Sequence, residues 1–239
     1  MALRLSTELR QQLMGNLVTI VSSAILVPAG EVSYEITGGT TFLGEGFRPG
    51  MVIKADGFAS VENDVYSLVT LVDSDGLGMA VTVSDADALT SVAASPEVTI
   101  IAVRQSLKEI LAYGILCIYS GNQPANADTA PSGTLLLAIT TDGGAFTKGT
   151  KTNGCAFDDP VAGVLGKKDA DTWSDTGIAT GTAGWFRYYC NDYDVSASGL
   201  CLDGTVGTSG AQLNLSSVAI VEDATTTIDE FEITLPANA

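Results

Sequence analysis

The chain has 239 residues, 46% of them apolar, enough to build one large or two small cores, so intrinsic disorder is excluded. Its 28 acidic and 11 basic residues leave a net charge of −17, and the cations are scattered, with Lys167-Lys168 the one adjacent pair. Phosphate neutralisation needs clustered cations, so no direct nucleic-acid binding is expected.

In chain order, residues 6–15 read as a short helix, with Ser6 as cap, Leu9 and Leu13 on one face, and Gly15-Asn16 as the stop. Residues 17–27 follow Arg4 and Arg10 as an apolar run that superficially resembles a secretory signal. Glu8, Gln11-Gln12 and the interrupting Ser22-Ser23 weaken that reading, and β-branched Val18, Thr19, Ile20 and Val21 favour a strand. Eleven residues are too few for a bilayer, which needs about 20, so no membrane association is expected.

Residues 17–104 carry β-branched stretches near 18–27, 51–55, 65–72, 78–84 and 97–103, divided by Gly38-Gly39, Pro49-Gly50, Asp56-Gly57 and Asp75-Gly76. Five or six short strands are predicted there, forming a small barrel or sandwich. A second helix is predicted over 106–113. Ser106 and Glu109 form its capping box, Ile110 and Leu111 its apolar face, and Gly114 its end. Helices at both ends suggest nesting: a small β domain, 17–104, inserted into a main domain made of 1–16 plus 105–239.

Strands are then predicted at 114–119, 134–140, 183–190, 199–203, 211–220 and 226–235. The last alternates Ile228, Phe231, Ile233 and Leu235 with polar residues. Residues 146–182, rich in Lys, Asp, Thr and Gly, read as a long exposed loop or arm. The predicted fold class is all-β with two short helices: a β-sandwich or jelly-roll-like C-terminal domain plus the inserted barrel or sandwich.

Chemistry is constrained by the absence of histidine, which removes Ser-His-Asp and Cys-His catalysis and the usual zinc sites. Carboxylate-pair glycoside hydrolysis stays open as a weaker alternative, since sequence does not show the separation of such pairs. Cys117, Cys155, Cys190 and Cys201 lack metal-ligand spacing; Cys117 reads as core filler, while Cys190 and Cys201 flank a turn and are candidates for a disulfide. Asp73-Ser74-Asp75-Gly76 begins like a calcium loop, but Ser84 stands where Glu is required. Asn191-Asp192-Tyr193-Asp194, Asp158-Asp159 and Asp169-Ala170-Asp171 are read as turns in which Asp caps its own backbone. Trp173, Trp185, Tyr188, Tyr189 and Tyr193 are candidates for a carbohydrate platform or, by default, for the core. Arg187 is expected to stack or pair at a subunit contact. No residue is assigned as catalytic, cofactor-binding or metal-binding.

Two stretches carry a resemblance. The run 114–137, containing Ile118-Tyr119-Ser120-Gly121-Asn122-Gln123-Pro124 and Ala127-Asp128, is followed by Gly184-Trp185-Phe186-Arg187-Tyr188 and Phe231-Glu232-Ile233-Thr234-Leu235-Pro236. Together these resemble a family of phage and prophage virion structural proteins, whose members tend to begin with a short Leu/Arg/Ser-containing helix. Gly46-Phe47-Arg48-Pro49-Gly50-Met51-Val52-Ile53 with Gly57-Phe58 is similar to a small β domain recurrent in phage tail and capsid proteins, with Glu62-Asn63-Asp64 replacing the usual Asn-Asn-Gly turn.

The resemblance implies a non-enzymatic virion subunit of the tail, the head–tail region or the capsid surface, assembled in the bacterial cytoplasm with copies of itself and other virion proteins. It implies no cofactor and no small-molecule substrate. A secreted or surface carbohydrate-binding module is the alternative. Strands 114–119 and 134–140 have almost no charge on either face, so they are expected to be covered by the chain's own helices or by a neighbouring subunit, with 114–140 or the 146–182 arm at the contact.

Overall fold

The computed structural model describes residues 3–13, 18–83, 89–94, 96–104, 106–191 and 199–234. The elements begin with β1 (Arg4–Leu5), α1 (Thr7–Leu13), β2 (Thr19–Ser22), β3 (Ile25–Leu26), β4 (Ser33–Ile36) and β5 (Val52–Asp56). They continue with β6 (Tyr66–Val72), β7 (Gly78–Val83), β8 (Val98–Arg104), α2 (Leu107–Leu111), β9 (Ile115–Ser120) and β10 (Leu135–Thr141). The remainder are β11 (Val164–Gly166), β12 (Trp173–Thr176), β13 (Gly181–Tyr189), β14 (Cys201–Gly207), β15 (Leu213–Asn214), β16 (Ala219–Ile220), β17 (Thr225–Ile228) and β18 (Glu232–Thr234). The protein is therefore all-β with two short helices, as its sequence implies. It divides into two compact units: Gln12–Ile110 with Thr147–Lys151, and Met1–Gln11 with Leu111–Phe146 and Thr152–Ala239.

The first unit is one antiparallel sheet of order β2-β8-β5-β6-β7-β4-β3. Its edge strands, β2 and β3, are consecutive in the chain and separated by Ser23-Ala24 alone. Three peptide steps reach roughly 10 Å, whereas seven flat strands would hold the edges about 28 Å apart, so the sheet must curl into a barrel. Alternate residues then point inward: Ile20 on β2, Ile53 and Ala55 on β5, Val69 on β6, and Val98, Ile100 and Ala102 on β8 belong to one buried cluster. Each large aliphatic there contributes about 1.5–3 kcal/mol by leaving water. Tyr34 and Phe58 stack at 5.6 Å in the same core, and burial pushes the Tyr34 hydroxyl up to about 12. The 18–27 run is two strands, divided at the serines. β4 is a strand the sequence reading lacked.

The second unit is built on the path β1-β14-β13-β9-β10-β12-β17, with β15 added to β14 and β16 to β13, and a separate ribbon β11-β18. Its central strand β9 has its five residues Ile115 to Tyr119 buried. One face carries Cys117, Tyr119, Trp185, Tyr189 and Cys201, covered by Ala127 of the loop that follows β9. The other carries Phe186 and Tyr188, which pack on Phe157, Trp173 and Phe231 at ring separations of 5.5 to 6.1 Å. Gly184 marks the register shift between Ala183 and Trp185, where a Cβ would collide with the Gly121 carbonyl.

Several expectations are corrected here. Residues 146–182 are not an exposed arm: Cys155, Phe157, Leu165 and Trp173 are buried and the segment supplies β11 and β12. Strand β9 is hydrogen-bonded on both sides and covered on both faces by its own unit, so the 114–119 stretch is not left for a neighbouring subunit. The expected strand 226–235 is two, β17 pairing β12 and β18 pairing β11. The three-residue step from Ile228 to Phe231 breaks the period of two that one strand requires. The 211–220 strand is likewise the two short pieces β15 and β16. Ser6 and the Ser106/Glu109 box cap α1 and α2 as expected. Leu13, however, is 40% exposed while Leu9 is buried, and Tyr113, not Gly114, takes the left-handed backbone after α2. The proposed stop at Gly15-Asn16 lies outside the described residues.

Candidate functional site

The most organised set of polar groups lies on the loop-covered face of the second unit's sheet. Alternation along β13 puts Trp185, Arg187 and Tyr189 on this face, and the β13-β14 register sets Arg187 opposite Asp203. Both residues are fully buried, and Arg187 donates from its guanidinium to Asp203 Oδ2 at 2.9 Å and to the Thr129 carbonyl at 2.9 Å. The Trp185 and Tyr189 rings flank the guanidinium at 5.4 and 5.8 Å. Tyr119 stacks on Trp185 at 4.5 Å, and the indole N–H donates to the Ser132 carbonyl. Gln123 satisfies the other carboxylate oxygen, donating to Asp203 Oδ1 at 2.6 Å, while the buried Arg187 Nε–H has no hydrogen-bond acceptor among the described residues.

The network reaches the N-terminal segment. Arg4 donates to the Pro124 carbonyl and to Gln123 Oε1, and β1 extends the sheet beside Asp203. Ser6 donates its N–H to the Cys201 carbonyl, while its hydroxyl accepts from the N–H groups of Cys201 and Leu9. Asp128 accepts the N–H of Thr7 at 2.6 Å and its hydroxyl at 2.8 Å, closing the first turn of α1. The Thr7 N–H bond, helped by the hydroxyl and by Arg10 and Arg187, holds the Asp128 carboxyl below its usual range.

The other candidates are placed as follows. Arg187 finds its partner within its own chain, not at a subunit contact. Cys190 and Cys201 form no disulfide with each other, and all four cysteines are buried. Tyr189 is the residue opposite Cys201, so Cys190, one step on, points to the other face. Burial raises the Cys201 thiol to about 11 and the Cys155 thiol well above its ordinary value, so both are thiols at neutral pH and poor nucleophiles.

Trp173, Trp185, Tyr188 and Tyr189 are core aromatics with 0–1% exposure and form no open carbohydrate platform. Tyr193, Asp192 and Asp194 lie outside the described residues. Asp75 accepts from the Leu77 N–H, as a turn cap does, whereas Asp158 accepts from the Asp169 N–H eleven residues on and so ties two segments together. Asp171 pairs with Lys168 at 3.0 Å. Asn191 donates to the Tyr113 carbonyl. Among the described residues no group of three or more Cys, Asp and Glu side chains converges.

Sequence reading missed the role of Asp203 and Gln123. A signal existed, since Asp203 and Arg187 are single charges within otherwise uncharged predicted strands, and such lone charges need a partner if the strands are central. Chemically, the pair sets an always-charged guanidinium against a carboxylate inside the buried layer. The arrangement fixes strand register and holds the N-terminal segment and the 122–133 loop on the sheet. Comparison with protein-family models, curated proteins and solved structures finds no match to this chain.

Proposed function

We propose that this chain is a structural subunit of a tailed-bacteriophage virion, a tail, head–tail or capsid-decoration component that acts by assembly with copies of itself and other virion proteins. One observation carries the reading. Two features shared with the virion family, the N-terminal Leu/Arg/Ser segment and the Gln-Pro-x-x-Ala-Asp stretch, lie about 120 residues apart and interlock through Arg4 with Gln123 and Pro124, and Thr7 with Asp128. These parts of the resemblance therefore meet in one piece of architecture, whereas the Gly46 to Phe58 stretch belongs to the other unit. The Gly184 to Tyr188 stretch joins the same piece through Arg187 and Asp203.

The net charge of −17 fits a component that stays soluble at high copy number and does not adhere to packaged DNA. The test is immunogold labelling of particles released from the bacterial strain that carries the coding sequence. Regular label at a fixed position on intact particles is expected. Protein confined to the particle-free supernatant would overturn the reading.

A further inference from the structure

Strand β17 ends the seven-strand path of the nine-stranded sheet and is hydrogen-bonded to β12 alone among the described residues. The register decides which of its backbone groups are free. Gly177 donates its N–H to the Ala224 carbonyl, in line with the Trp173 to Ile228 pairing. Hydrogen-bonded pairs recur every second residue, so Thr226 and Ile228 bond toward β12, while Thr225 and Thr227 aim their N–H and C=O groups away from it. Those groups have no other partner among the described residues.

They open onto a crevice of about 540 Å³ between residues 214–221 and 224–230. Three consecutive residues, Thr225, Thr226 and Thr227, line it. Strand side chains alternate between faces, so contact with three in a row means that the crevice follows the strand's edge.

An open edge invites pairing, and although β17 is only four residues long, its sequence Thr-Thr-Thr-Ile has no Lys and no Pro, and its pairing with β12 has no bulge. Exposed acids bracket it instead, Glu222 and Asp223 before the strand and Asp229 and Glu230 after it. Two copies pairing antiparallel through their outward-facing groups, centred on Thr226, would set Glu222 against Glu230 and Asp223 against Asp229. Like charges directly opposed are unfavourable, so the flanks discourage self-pairing and favour a strand with cationic ends.

We propose that this edge and crevice form a strand-addition site for an extended segment of a different protein, uncharged and β-branched over about four residues, with Lys or Arg at both ends. The inference does not rest on the virion reading. Its probe is a fluorescein-labelled peptide with an alternating Thr-Val core of four residues and two lysines at each end, titrated with the full chain and followed by anisotropy. Saturable binding is expected. N-methylation of two consecutive core amides keeps the charge and removes a donor to β17, and should weaken binding about tenfold or more. Replacing the lysines by glutamates should do the same at low salt, with the difference shrinking as salt rises. Thr227→Pro deletes an edge-facing N–H and spares the β12 ladder, so it should abolish binding while leaving the circular-dichroism melt in place. Absence of binding, indifference to N-methylation, or full binding by the Thr227→Pro variant would overturn the proposal. So would a dimer of the free chain that Thr227→Pro dissociates, because the edge would then belong to a second copy.

Discussion

The barrel and the sheet unit are both built of β-strands but around different interiors. The barrel core is one aliphatic and aromatic cluster, with Arg48 donating to Gln12 as its buried cationic contact. The sheet unit places an ion pair and a chain of side-chain hydrogen bonds in the middle of its aromatic layer. An interior of the first kind tolerates exchange among apolar side chains of similar volume, because burial is non-directional. One of the second kind is set by geometry: a one-residue slip of β13 against β14 would separate Arg187 from Asp203 and bury two unpaired charges. The barrel is thus held mainly by area, the sheet unit by area and a register pin.

The widest test of this contrast is excision. The chain enters the barrel at Val18 and leaves beside it, since Ala102 donates its N–H to the Val18 carbonyl at 2.8 Å. Paired antiparallel residues are about 5 Å apart, so replacement of residues 17–104 by a short Gly-Ser linker is the excision to make. The remaining protein should keep a cooperative unfolding transition by near-ultraviolet circular dichroism. A non-cooperative melt would mean that the two interiors are not separable.

Within the full chain, Asp203→Ala should have the largest single-residue effect, because it strands a buried guanidinium and removes an acceptor from Gln123. About 3–5 kcal/mol of stability should be lost in urea unfolding, confined to the sheet unit's transition. Arg187→Leu combined with Asp203→Leu should recover part of that loss, since the desolvated charges are removed together. A double variant no better than Asp203→Ala would show that the pair is not the pin.

The matching perturbation in the barrel is Ile100→Ala, which removes a fully buried side chain from the apolar cluster. A loss of about 2–4 kcal/mol is expected, through transfer and cavity terms. Ile100→Val should cost about 1 kcal/mol, and an unchanged transition in the sheet unit would keep the comparison intact.

The same contrast explains what could be read from the sequence. Barrel strands β5 to β8 were legible because aliphatic runs alternate between turn residues at Pro49-Gly50, Asp56-Gly57 and Asp75-Gly76, all local signals. Strand β4 escaped because Ser33-Tyr-Glu-Ile36 is four residues long and half polar. In the sheet unit, β9 and β10 were visible as charge-free runs, whereas β11 and β12 were not. Their anchors, Leu165 and Trp173, sit in polar, Gly-rich sequence and gain strand structure by tertiary pairing, β11 with β18 and β12 with both β10 and β17. The Arg187 to Asp203 pin was out of reach for a related reason. Which residue faces Arg187 depends on the register of β13 and β14, and register is a tertiary property.

The smallest expected effect concerns the tie between Asp128 and α1, and its pH dependence has a definite sign. Bonds from Thr7, with the nearby Arg10 and Arg187 charges, lower the folded-state carboxyl below its ordinary value of 3.8. A carboxylate depressed in the folded state contributes its full stabilisation above the unfolded-state value and loses it as pH falls through the folded one. Asp128→Asn removes the charge but keeps an acceptor for Thr7, so near neutrality it should lower the sheet unit's Tm by only about 1–3 °C, the scale of one charge at an exposed helix start. The gap should persist while the pH stays above the ordinary carboxyl value and close as it falls through the lowered folded-state value, where the wild-type carboxyl takes up its proton. Thermal scans of both proteins across that window check the sign directly. A gap that widens as the solution is acidified would mean that the folded chain raises this carboxyl, and that Asp128 does not act as the charged cap of α1.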